Sequence, residues 1–587
     1  MAKQPQTSLI LLRWSEHVPA SDVQDPLGLG LRGSARLASR LLYCITSITP
    51  RARYFSFIPW CVFDYQQREK DKPYALGLRD AIVLREQALT LACITHHGGK
   101  PCNGGALVGS QGAQKWFARG EKEANFKKLK KFAKNPALSA YFNSLVNLGF
   151  FVTESELPDT DEESNAQQFT FDDIELSDLS LDLAKRYDSA VSKLTATKQL
   201  ATKDRSCSLA GLAEFGKHGG LCELSDKGSA DRELLQNTFF ALDASKEDSH
   251  RVRRRSLLLI LELCRQFNAD QWVSRKTEFG GAIYYGEVAN EEYRLNVVVP
   301  KQLIDIATRW RMFYFHHFMG VALEGLFSWL VSQLGTCGLA GATVESLVAR
   351  LDESSVRKNL SEILQVNLKG SLGESSPSKL FASISLPEGD LDVHLSRSLD
   401  KAVRSQSPFA EDSLEDTIRG NEHLYSSTGL ALPMILLATT LARYTQWEVT
   451  NCGKWLASAS SDPYLDLVPP LVTTGLSRRF GNWWKCTWKE LASFVLSRYV
   501  VQQHQSMSYE KTSTGDRCLL QVDGQKVVST GDYDEIGMGN PRLHSAIQIL
   551  KDLGLMEDDD DGVTYLTTEG KQFLKRELAK EVENEVS

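Results

Sequence analysis

The chain has 587 residues, of which 42% are hydrophobic and 24% are charged, and its formal net charge at pH 7 is −7. This length is too great for a single hydrophobic core, so about three or four domains are expected. The negative charge argues against a surface that is basic everywhere, so any contact with nucleic acid has to come from local basic patches.

Eleven cysteines are spread along the chain without a Cys-x-x-Cys pair. A dispersed, odd-numbered set is typical of reduced thiols in a cytoplasmic protein rather than of a disulfide framework. The apolar run over residues 9–12 is too short for a signal peptide, and Arg13 follows it at once. We therefore expect a cytoplasmic protein that does not contact a membrane.

Residues 1–114 are predicted to form an N-terminal helical domain. The stretch RYFSFIPWCVFDY, residues 53–65, holds six aromatic residues and is interpreted as dense helical core. The segments DPLGL, residues 25–29, and RYFSFIPW, residues 53–60, are similar to uncharacterised prokaryotic proteins encoded in phage-defence gene clusters. That resemblance implies a role in antiviral defence and assigns no site residues.

The segment CITHHGGKPC holds the best local grouping of metal-ligand residue types, namely Cys93, His96, His97 and Cys102. A Cys-x-x-His at the end of a helix with a later cysteine can hold zinc. A helix end followed by a glycine-rich loop accounts for the same residues without metal. We favour that second interpretation and predict neither a metal nor a cofactor.

Residues 115–134 form the most basic window of the chain and open a winged-helix-like module predicted over 115–190. A basic face just before a predicted helix can contact phosphates, although a lysine-rich helix is often no more than solvated. The positions predicted to contact nucleic acid are Lys127, Lys128, Lys130, Lys131 and Lys134.

Two segments, beginning at Asn135 and Asn540, share one pattern of Asn-Pro, apolar residues at helical spacing, and Leu-Gly. The pattern predicts a helix that is capped by asparagine, carries proline at its first position, and ends at Gly149 or Gly554. An acidic loop, a short strand and a second helix follow in both segments. We therefore predict two structurally equivalent copies.

The middle of the chain is predicted to be mainly helical. Its predicted divisions are a polar insert or linker over 191–235, a central helical domain over 236–370, a polar peripheral segment over 371–425, and a second helical domain over 426–510. A hairpin is predicted within residues 281–300. The apolar stretches 312–344 and 426–442 are interpreted as buried helices rather than membrane spans.

Two further basic segments in the middle region have a structural interpretation beside a functional one. HRVRRR, residues 250–255, can contact phosphates or can be the polar entry to a buried helix. SRRFGNWWKCTWKEL, residues 477–491, interleaves cations with tryptophans that could stack on bases. The spacing of Trp484 and Trp488 fits one helix face equally well, and we favour core.

The second copy lies in a module predicted over 511–587 and resembles the winged helix-turn-helix superfamily. The resemblance rests on a helix ending in Leu-Gly, an acidic turn, the strand VTYLT, and a helix opened by Thr567 or Thr568. The first copy is less similar because Ser180 replaces a glycine and its loop is longer. In this superfamily the helix before the wing can enter the major groove. The residues of that helix predicted to reach nucleic acid are Arg542, His544, Gln548 and Lys551.

Both predicted wings are acidic, as the segments EDDDDG at 557–562 and TESELPDTDEES at 153–164 show. Carboxylates within a Debye length of about 8 Å would oppose contact with phosphates. We therefore predict that the wings dock proteins or are solvated, and that neither lies along DNA.

Taken together, these features predict a mainly α, multidomain protein with a winged-helix module near each end and a large helical middle region. The predicted function is that of a non-catalytic subunit or adaptor in a cytoplasmic, prokaryotic assembly that handles nucleic acid, with anti-phage defence as its setting. Its partners would be other protein subunits, such as an ATPase or a nuclease, and DNA through local basic patches. The alternatives are a sequence-specific DNA-binding regulator and a nuclease or other hydrolase with a dispersed acidic site.

Overall fold

The computed structural model confirms a mainly α-helical protein, with 62% of residues in helices and 7% in strands. The described residues are 27–29, 31–102, 105–152, 174–242, 248–267, 276–289, 294–384, 403–420, 424–449, 469–510, 518–533, 535–537 and 539–586. The predicted acidic wing at 153–164 lies outside them.

The described helices, in chain order, are α1 (Leu31–Leu41), α2 (Tyr54–Arg68), α3 (Leu78–His96), α4 (Ser110–Phe117), α5 (Ala137–Asn147), α6 (Asp178–Val191), α7 (Thr195–Leu200), α8 (Leu209–Gly219), α9 (Arg232–Phe240), α10 (Asp248–Phe267), α11 (Lys276–Tyr284), α12 (Ile304–Cys337), α13 (Val344–Val348), α14 (Ser354–Ile363), α15 (Pro377–Ala382), α16 (Glu411–Arg419), α17 (Thr428–Val449), α18 (Pro469–Phe480), α19 (Trp488–Val495), α20 (Gln503–Glu510), α21 (Leu543–Asp552) and α22 (Thr568–Val586). A π-helical segment, Leu496–Gln502, joins α19 to α20.

The described strands are short and pair antiparallel. They are β1 (Glu123–Asn125), β2 (Phe151–Val152), β3 (Glu175–Leu176), β4 (Ser206–Ser208), β5 (Glu287–Ala289), β6 (Arg294–Asn296), β7 (Ala342–Thr343), β8 (Leu520–Asp523), β9 (Lys526–Ser529), β10 (Met556–Asp558) and β11 (Thr564–Leu566). The β5–β6 pair confirms the hairpin predicted within residues 281–300.

Two compact units make up the chain, and each is assembled from separated segments. The first unit comprises Met1–Ala38, Thr277–Val299 and Ala307–Pro541. The second unit comprises Ser39–Lys276, Pro300–Ile306 and Arg542–Ser587. Apart from Asn540 and Pro541, both copies of the repeated pattern therefore belong to the second unit.

The first unit has the two apolar helices α12 and α17 in its core. The region Lys301–Ala340 is the one stretch of the described chain that is long and apolar enough to cross a membrane, but 89% of its most apolar window is buried in the protein. Gly325 of α12 lies against Pro433 of α17. This burial confirms the prediction that both apolar stretches are core helices, and Trp483, Trp484 and Trp488 are buried as predicted.

The second unit contains α2, and four of the six aromatic residues predicted as core are buried there, whereas Phe63 and Tyr65 are only partly buried. Tyr54, Phe55, Phe57 and Trp60 are at most 1% exposed. The helix packs on α6 and on α3. Helix α3 also lies close against α8. A Cβ atom at Gly216 of α8 would stand 2.3 Å from the carbonyl oxygen of Ala92 of α3.

Four charged side chains form a buried ion network in the second unit. The Glu69 carboxylate accepts from Arg85 at 3.1 Å and from Arg205 at 2.6 Å. Arg85 also donates to Asp64 at 2.7 Å, and none of the four side chains is more than 1% exposed. The network links α2, α3 and the residue before β4.

The two copies have the same local structure. In the first, α5 is followed by Gly149 with φ 69°, the β2–β3 hairpin and α6. In the second, α21 is followed by Gly554 with φ 70°, the β10–β11 hairpin and α22. Both glycines adopt the left-handed conformation predicted to end the helix.

Matching hydrogen bonds close the two copies. Ser177 N–H donates to the carbonyl of Phe150 at 3.0 Å, and Thr567 N–H donates to the carbonyl of Leu555 at 3.2 Å. Three residues later Ser180 in the first copy matches Gly570 in the second. A Cβ atom at Gly570 would stand 2.0 Å from the Leu555 carbonyl oxygen, which explains the glycine there.

The N-terminal caps of α5 and α21 differ from the prediction, whereas the N-terminal cap of α22 agrees with it. No side chain caps α5 or α21 at the N-cap position, so neither Asn135 nor Asn540 is the cap. The hydroxyl of Thr567 accepts the Gly570 N–H at 2.9 Å, which confirms Thr567 as the residue that opens α22.

Candidate nucleic-acid interface

The lysine-rich segment is an anchored loop rather than a helix, and we call residues 126–134 the lysine loop. It begins where β1 pairs with β4, and Phe126 N–H donates to the carbonyl of Arg205 at 3.0 Å. Phe126 is buried, and Phe132 packs on Gly109 and Gly112 where no Cβ atom would fit. Two aromatic side chains thus hold the loop against the second unit.

Polar contacts fix the backbone between these anchors. The Asn125 side-chain oxygen accepts the N–H groups of Lys127 at 3.2 Å and Lys128 at 3.3 Å, as in an Asx turn. Farther along, Gln87 of α3 donates to the carbonyl of Lys130 at 3.1 Å. The loop therefore has a defined path that directs its side chains to solvent.

All five lysines of the loop are exposed. Within the described residues, none of them forms an ion pair with a carboxylate. Five unneutralised positive charges on one short loop give the local basic patch that contact with phosphates requires. The positions are Lys127, Lys128, Lys130, Lys131 and Lys134.

Helix α5, which follows the lysine loop, exposes a polar face that was not singled out from the sequence. Ser139, Asn143 and Asn147 are exposed, and their spacing of four residues places them on one side of the helix. Asparagine and serine side chains are frequent donors and acceptors to phosphates and bases. The spacing of these polar residues was visible in the sequence, but the prediction of this helix used only the apolar residues on its opposite face.

A carboxylate already occupies the N-terminus of α5. Glu86 accepts the N–H groups of Ala137 at 2.9 Å and of Leu138 at 2.6 Å. Burial raises the pKa of Glu86 to about 7. Because these backbone donors are taken, contact with phosphate at this end of α5 depends on the lysines.

In the second copy, α21 is buried on nearly all sides. The apolar stripe is inside as predicted, but Gln548 and Asp552 are also buried, with 7% and 5% exposure. Gln548 donates to Asp552 at 2.9 Å, and Asp552 accepts from Arg51 Nε and from the Ala52 N–H, each at 2.9 Å. The prediction that Gln548 lies off the buried face is corrected, because Gln548 is hydrogen-bonded to the buried Asp552, which Arg51 and Ala52 hold in turn.

Of the other three residues predicted to reach nucleic acid from this helix, two are bound to other parts of the protein and one is exposed. Arg542 donates to the Ile45 carbonyl at 3.1 Å and to Ser39 Oγ at 2.6 Å, and burial lowers its pKa to about 10. Lys551 is paired with Asp558 at 2.6 Å. His544 is exposed. Of the four residues predicted to contact nucleic acid, His544 is therefore the one that is exposed without a described contact to another residue.

The acidic hairpin of the second copy is exposed, and one of its carboxylates accepts hydrogen bonds from backbone N–H groups of the turn. Asp559 Oδ1 accepts the N–H groups of Asp561 at 3.0 Å and Val563 at 2.8 Å. Asp558 pairs with Lys551. Asp560 and Asp561 remain exposed carboxylates at the tip. We define residues 557–562 as the acidic hairpin.

The basic run at 250–255 is the polar entry to α10, as the structural interpretation expects. Arg253 is fully buried and donates to the carbonyls of Phe239 and Thr238, each at 2.8 Å. Arg254 pairs with Glu577 at 3.2 Å and Arg255 with Asp305 at 2.9 Å. These three arginines therefore form structural contacts within the second unit.

The residues considered for zinc are only partly brought together. Cys93 and Cys102 are both buried, whereas Cys222, which comes from a distant part of the sequence, is partly exposed. His97 Nε2 is 3.1 Å from Cys222 Sγ, whereas His96 is paired with Glu223 at 3.3 Å. Among the described residues, no group of three or more His, Cys, Asp or Glu side chains is arranged to hold a metal ion.

Comparisons with known proteins add nothing to this geometry. No family model, no curated protein and no solved structure matches the chain. The functional proposals therefore rest on the contacts, burial and charge described above.

Proposed function

We propose that the protein is a non-catalytic subunit or adaptor of a cytoplasmic, nucleic-acid-handling assembly, and that the lysine loop contacts the phosphate backbone. The observation that carries this proposal is a loop with an anchored backbone and five exposed lysines that meet no carboxylate among the described residues. An ordered cationic loop loses less conformational entropy on binding a polyanion than a flexible loop does.

The exposed face of α5 extends the proposed surface. Lys134 ends the lysine loop, and α5 begins three residues later with Ser139, Asn143 and Asn147 on its exposed side. In a winged helix the helix before the hairpin enters the groove, and the first copy is proposed to use α5 in this way. The lysines would then supply affinity, and the α5 side chains would position the module.

The second copy is proposed to dock a protein partner. Its equivalent helix is buried, and its hairpin tip carries exposed carboxylates that repel phosphates. A partner with a basic surface fits the acidic hairpin. An ATPase or nuclease would supply the chemistry of the assembly, and the resemblance of residues 25–29 and 53–60 favours anti-phage defence as the setting.

The alternatives gain less support from the structure. A regulator that reads bases with α21 would need Gln548 and Arg542, which are occupied inside the second unit. A metal-dependent nuclease would need clustered acidic ligands, and the described part of the chain offers no such group. We therefore retain the adaptor as the proposal.

The lysine loop is tested by charge removal. Replacing Lys127, Lys128 and Lys131 by glutamine is expected to weaken binding to nucleic acid by about 10- to 100-fold at about 0.1 M salt. The slope of log K against log salt concentration should become shallower by about 2 to 3, because each lost phosphate contact releases about one counterion fewer. Fluorescence anisotropy with single- and double-stranded DNA and RNA measures both quantities.

A matched control removes the same charge elsewhere in the second unit. Lys217, Lys227 and Lys571 are also exposed, and their replacement by glutamine should change affinity far less. Equal effects of the two triple variants would show that net charge, and not the lysine loop, determines binding. No measurable binding by the unmodified protein would rule out the nucleic-acid part of the proposal.

The adaptor part is tested separately at the acidic hairpin. Replacing Asp560 and Asp561 by asparagine should reduce recovery of a stoichiometric protein partner in a native pull-down, because two exposed carboxylates are lost while Asp559 still closes the turn. Affinity for nucleic acid should not fall. Purification from the native cell without any stoichiometric partner would refute this part of the proposal.

A further inference from the structure

A cavity of about 520 Å³ lies within the first unit, and we call it the α15 cavity. Its walls come from α14, from the loop over residues 367–375 and from α15. The volume falls in the range of about 300–1,000 Å³ that is usual for small-molecule sites. The α15 cavity therefore has room for a ligand larger than a single inorganic anion.

The charged side chains that line the α15 cavity are all cations. Arg357 comes from α14, Lys369 from the loop and Lys379 from α15. All three are exposed, and none of them forms an ion pair with another described residue. Three positive charges on one cavity, with no carboxylate among its lining residues, favour an anionic ligand.

Two carboxylates beside the α15 cavity are already paired with a lysine that does not line it. Lys489 of α19 pairs with Asp352, and it pairs with Glu374 at 2.6 Å. Asp352 also accepts a hydrogen bond from the hydroxyl of Ser371. Because Lys489 neutralises these carboxylates, they leave the positive charge of the lining residues largely uncompensated.

Hydrogen bonds fix the loop that forms one wall of the α15 cavity. At one end of the loop, Leu368 N–H donates to Ser361 Oγ at 3.3 Å. At the other end, Trp488 N–H donates to the carbonyl of Ser375 at 2.9 Å. Helix α15 in turn packs against the 3-10 helix Trp483–Lys485. Walls that are ordered before binding lose less entropy when a ligand binds.

The uncharged groups of the α15 cavity indicate which kind of anion fits. The hydroxyls of Ser375 and Ser383 donate to the carbonyls of Leu372 at 2.9 Å and Leu380 at 2.6 Å, so their oxygens remain as acceptors. The side chains of Leu372 and Leu380 are buried and supply apolar surface. The α15 cavity thus combines cations, hydrogen-bond acceptors and an apolar wall.

We propose that the α15 cavity binds a free nucleotide. Arg357, Lys369 and Lys379 contact its phosphates, the serine oxygens accept from its sugar hydroxyls, and its base packs against the leucines. Guanidinium and ammonium groups are the side chains that proteins commonly use to bind phosphates. This site belongs to the first unit, so the proposal is independent of the lysine loop, which belongs to the second unit.

Isothermal titration calorimetry of the full-length protein with ATP, GTP, CTP and UTP tests the proposal. We expect at least one of them to bind, and the corresponding nucleoside to bind at least about 10-fold more weakly because it lacks the charge-assisted contacts. Inorganic triphosphate should also bind more weakly, since it cannot pack against the leucines. Equal affinity for inorganic triphosphate, or no binding of any of the four nucleotides, would overturn the proposal.

Two variants locate the bound nucleotide. Lys369→Gln combined with Lys379→Gln should weaken its binding by about 10-fold or more, because two phosphate contacts are lost. Both lysines are exposed, so the fold should remain intact, which circular dichroism checks. Ala382→Phe should also weaken binding, because it fills part of the α15 cavity without a change of charge.

The matched control is Lys358→Gln combined with Arg478→Gln. It removes the same charge from exposed positions of the first unit that do not line the α15 cavity. The control should retain the affinity of the unmodified protein. An equal loss of affinity in the control and in the lysine double variant would assign binding to general charge and contradict the proposal. Unchanged affinity in the Ala382→Phe variant would place the nucleotide outside the α15 cavity and contradict it as well.

Discussion

Asp552→Ala is expected to lower the free energy of unfolding of the second unit by about 3–5 kcal/mol, the range typical of a buried ion pair that loses one partner. The Asp552 carboxylate accepts from Arg51 Nε, from the Ala52 N–H and from Gln548, each at 2.9 Å. Alanine leaves these three donors without that acceptor in a place where water does not reach. Chemical denaturation, with hydrogen exchange of α2 and α21 amides, measures the loss.

Two comparison variants separate burial from charge. Asp552→Asn retains one acceptor oxygen and should cost less than alanine. Asp560→Ala removes an exposed carboxylate from the acidic hairpin and should change stability by less than about 0.5 kcal/mol. If Asp552→Ala were as mild as Asp560→Ala, Asp552 would not link α21 to the start of α2.

The periodicity of the sequence was sufficient to predict the helices and their apolar faces. Leu543, Ala546, Ile547 and Leu550 are buried as the spacing of apolar residues predicts. Periodicity could not predict that Gln548 is buried too, because its hydrogen-bond partner is in turn held by a distant segment. Here that partner is Asp552 of the same helix, which is itself held by residues about 500 positions earlier in the chain.

The lysine loop and the residues considered for zinc differ in how much of each was visible in the sequence. The lysines were evident from composition, but their anchored loop depends on Asn125, Gln87 and the pairing of β1 with β4, which are tertiary contacts. His97 lies beside Cys222, which is 125 positions away in the chain. No local spacing reports such a meeting, so only Cys93, His96, His97 and Cys102 could be grouped in advance.

Glu69→Ala is expected to cost about 3–5 kcal/mol as well, through the buried ion network of the second unit. Its carboxylate accepts from Arg85, from Arg205, and from the Leu76 N–H at 3.2 Å. Arg85 keeps Asp64 as a partner when Glu69 is removed, but among the described residues Arg205 keeps just the carbonyl, at 2.9 Å, and the ring of Tyr74. The uncompensated Arg205 charge should therefore account for most of the loss measured by chemical denaturation.

A double variant tests that assignment. Adding Arg205→Met to Glu69→Ala removes the stranded charge and should recover part of the lost stability, because deleting both members of a buried pair costs less than deleting one. Additive losses would instead mean that Arg205 is stabilised independently of Glu69. Since the Arg205 carbonyl accepts the Phe126 N–H at 3.0 Å, Glu69→Ala should also speed hydrogen exchange at the start of the lysine loop and weaken binding to nucleic acid. Faster exchange at Phe126 in the single variant, restored in the double variant, would tie the stability of the buried network directly to the proposed phosphate contact.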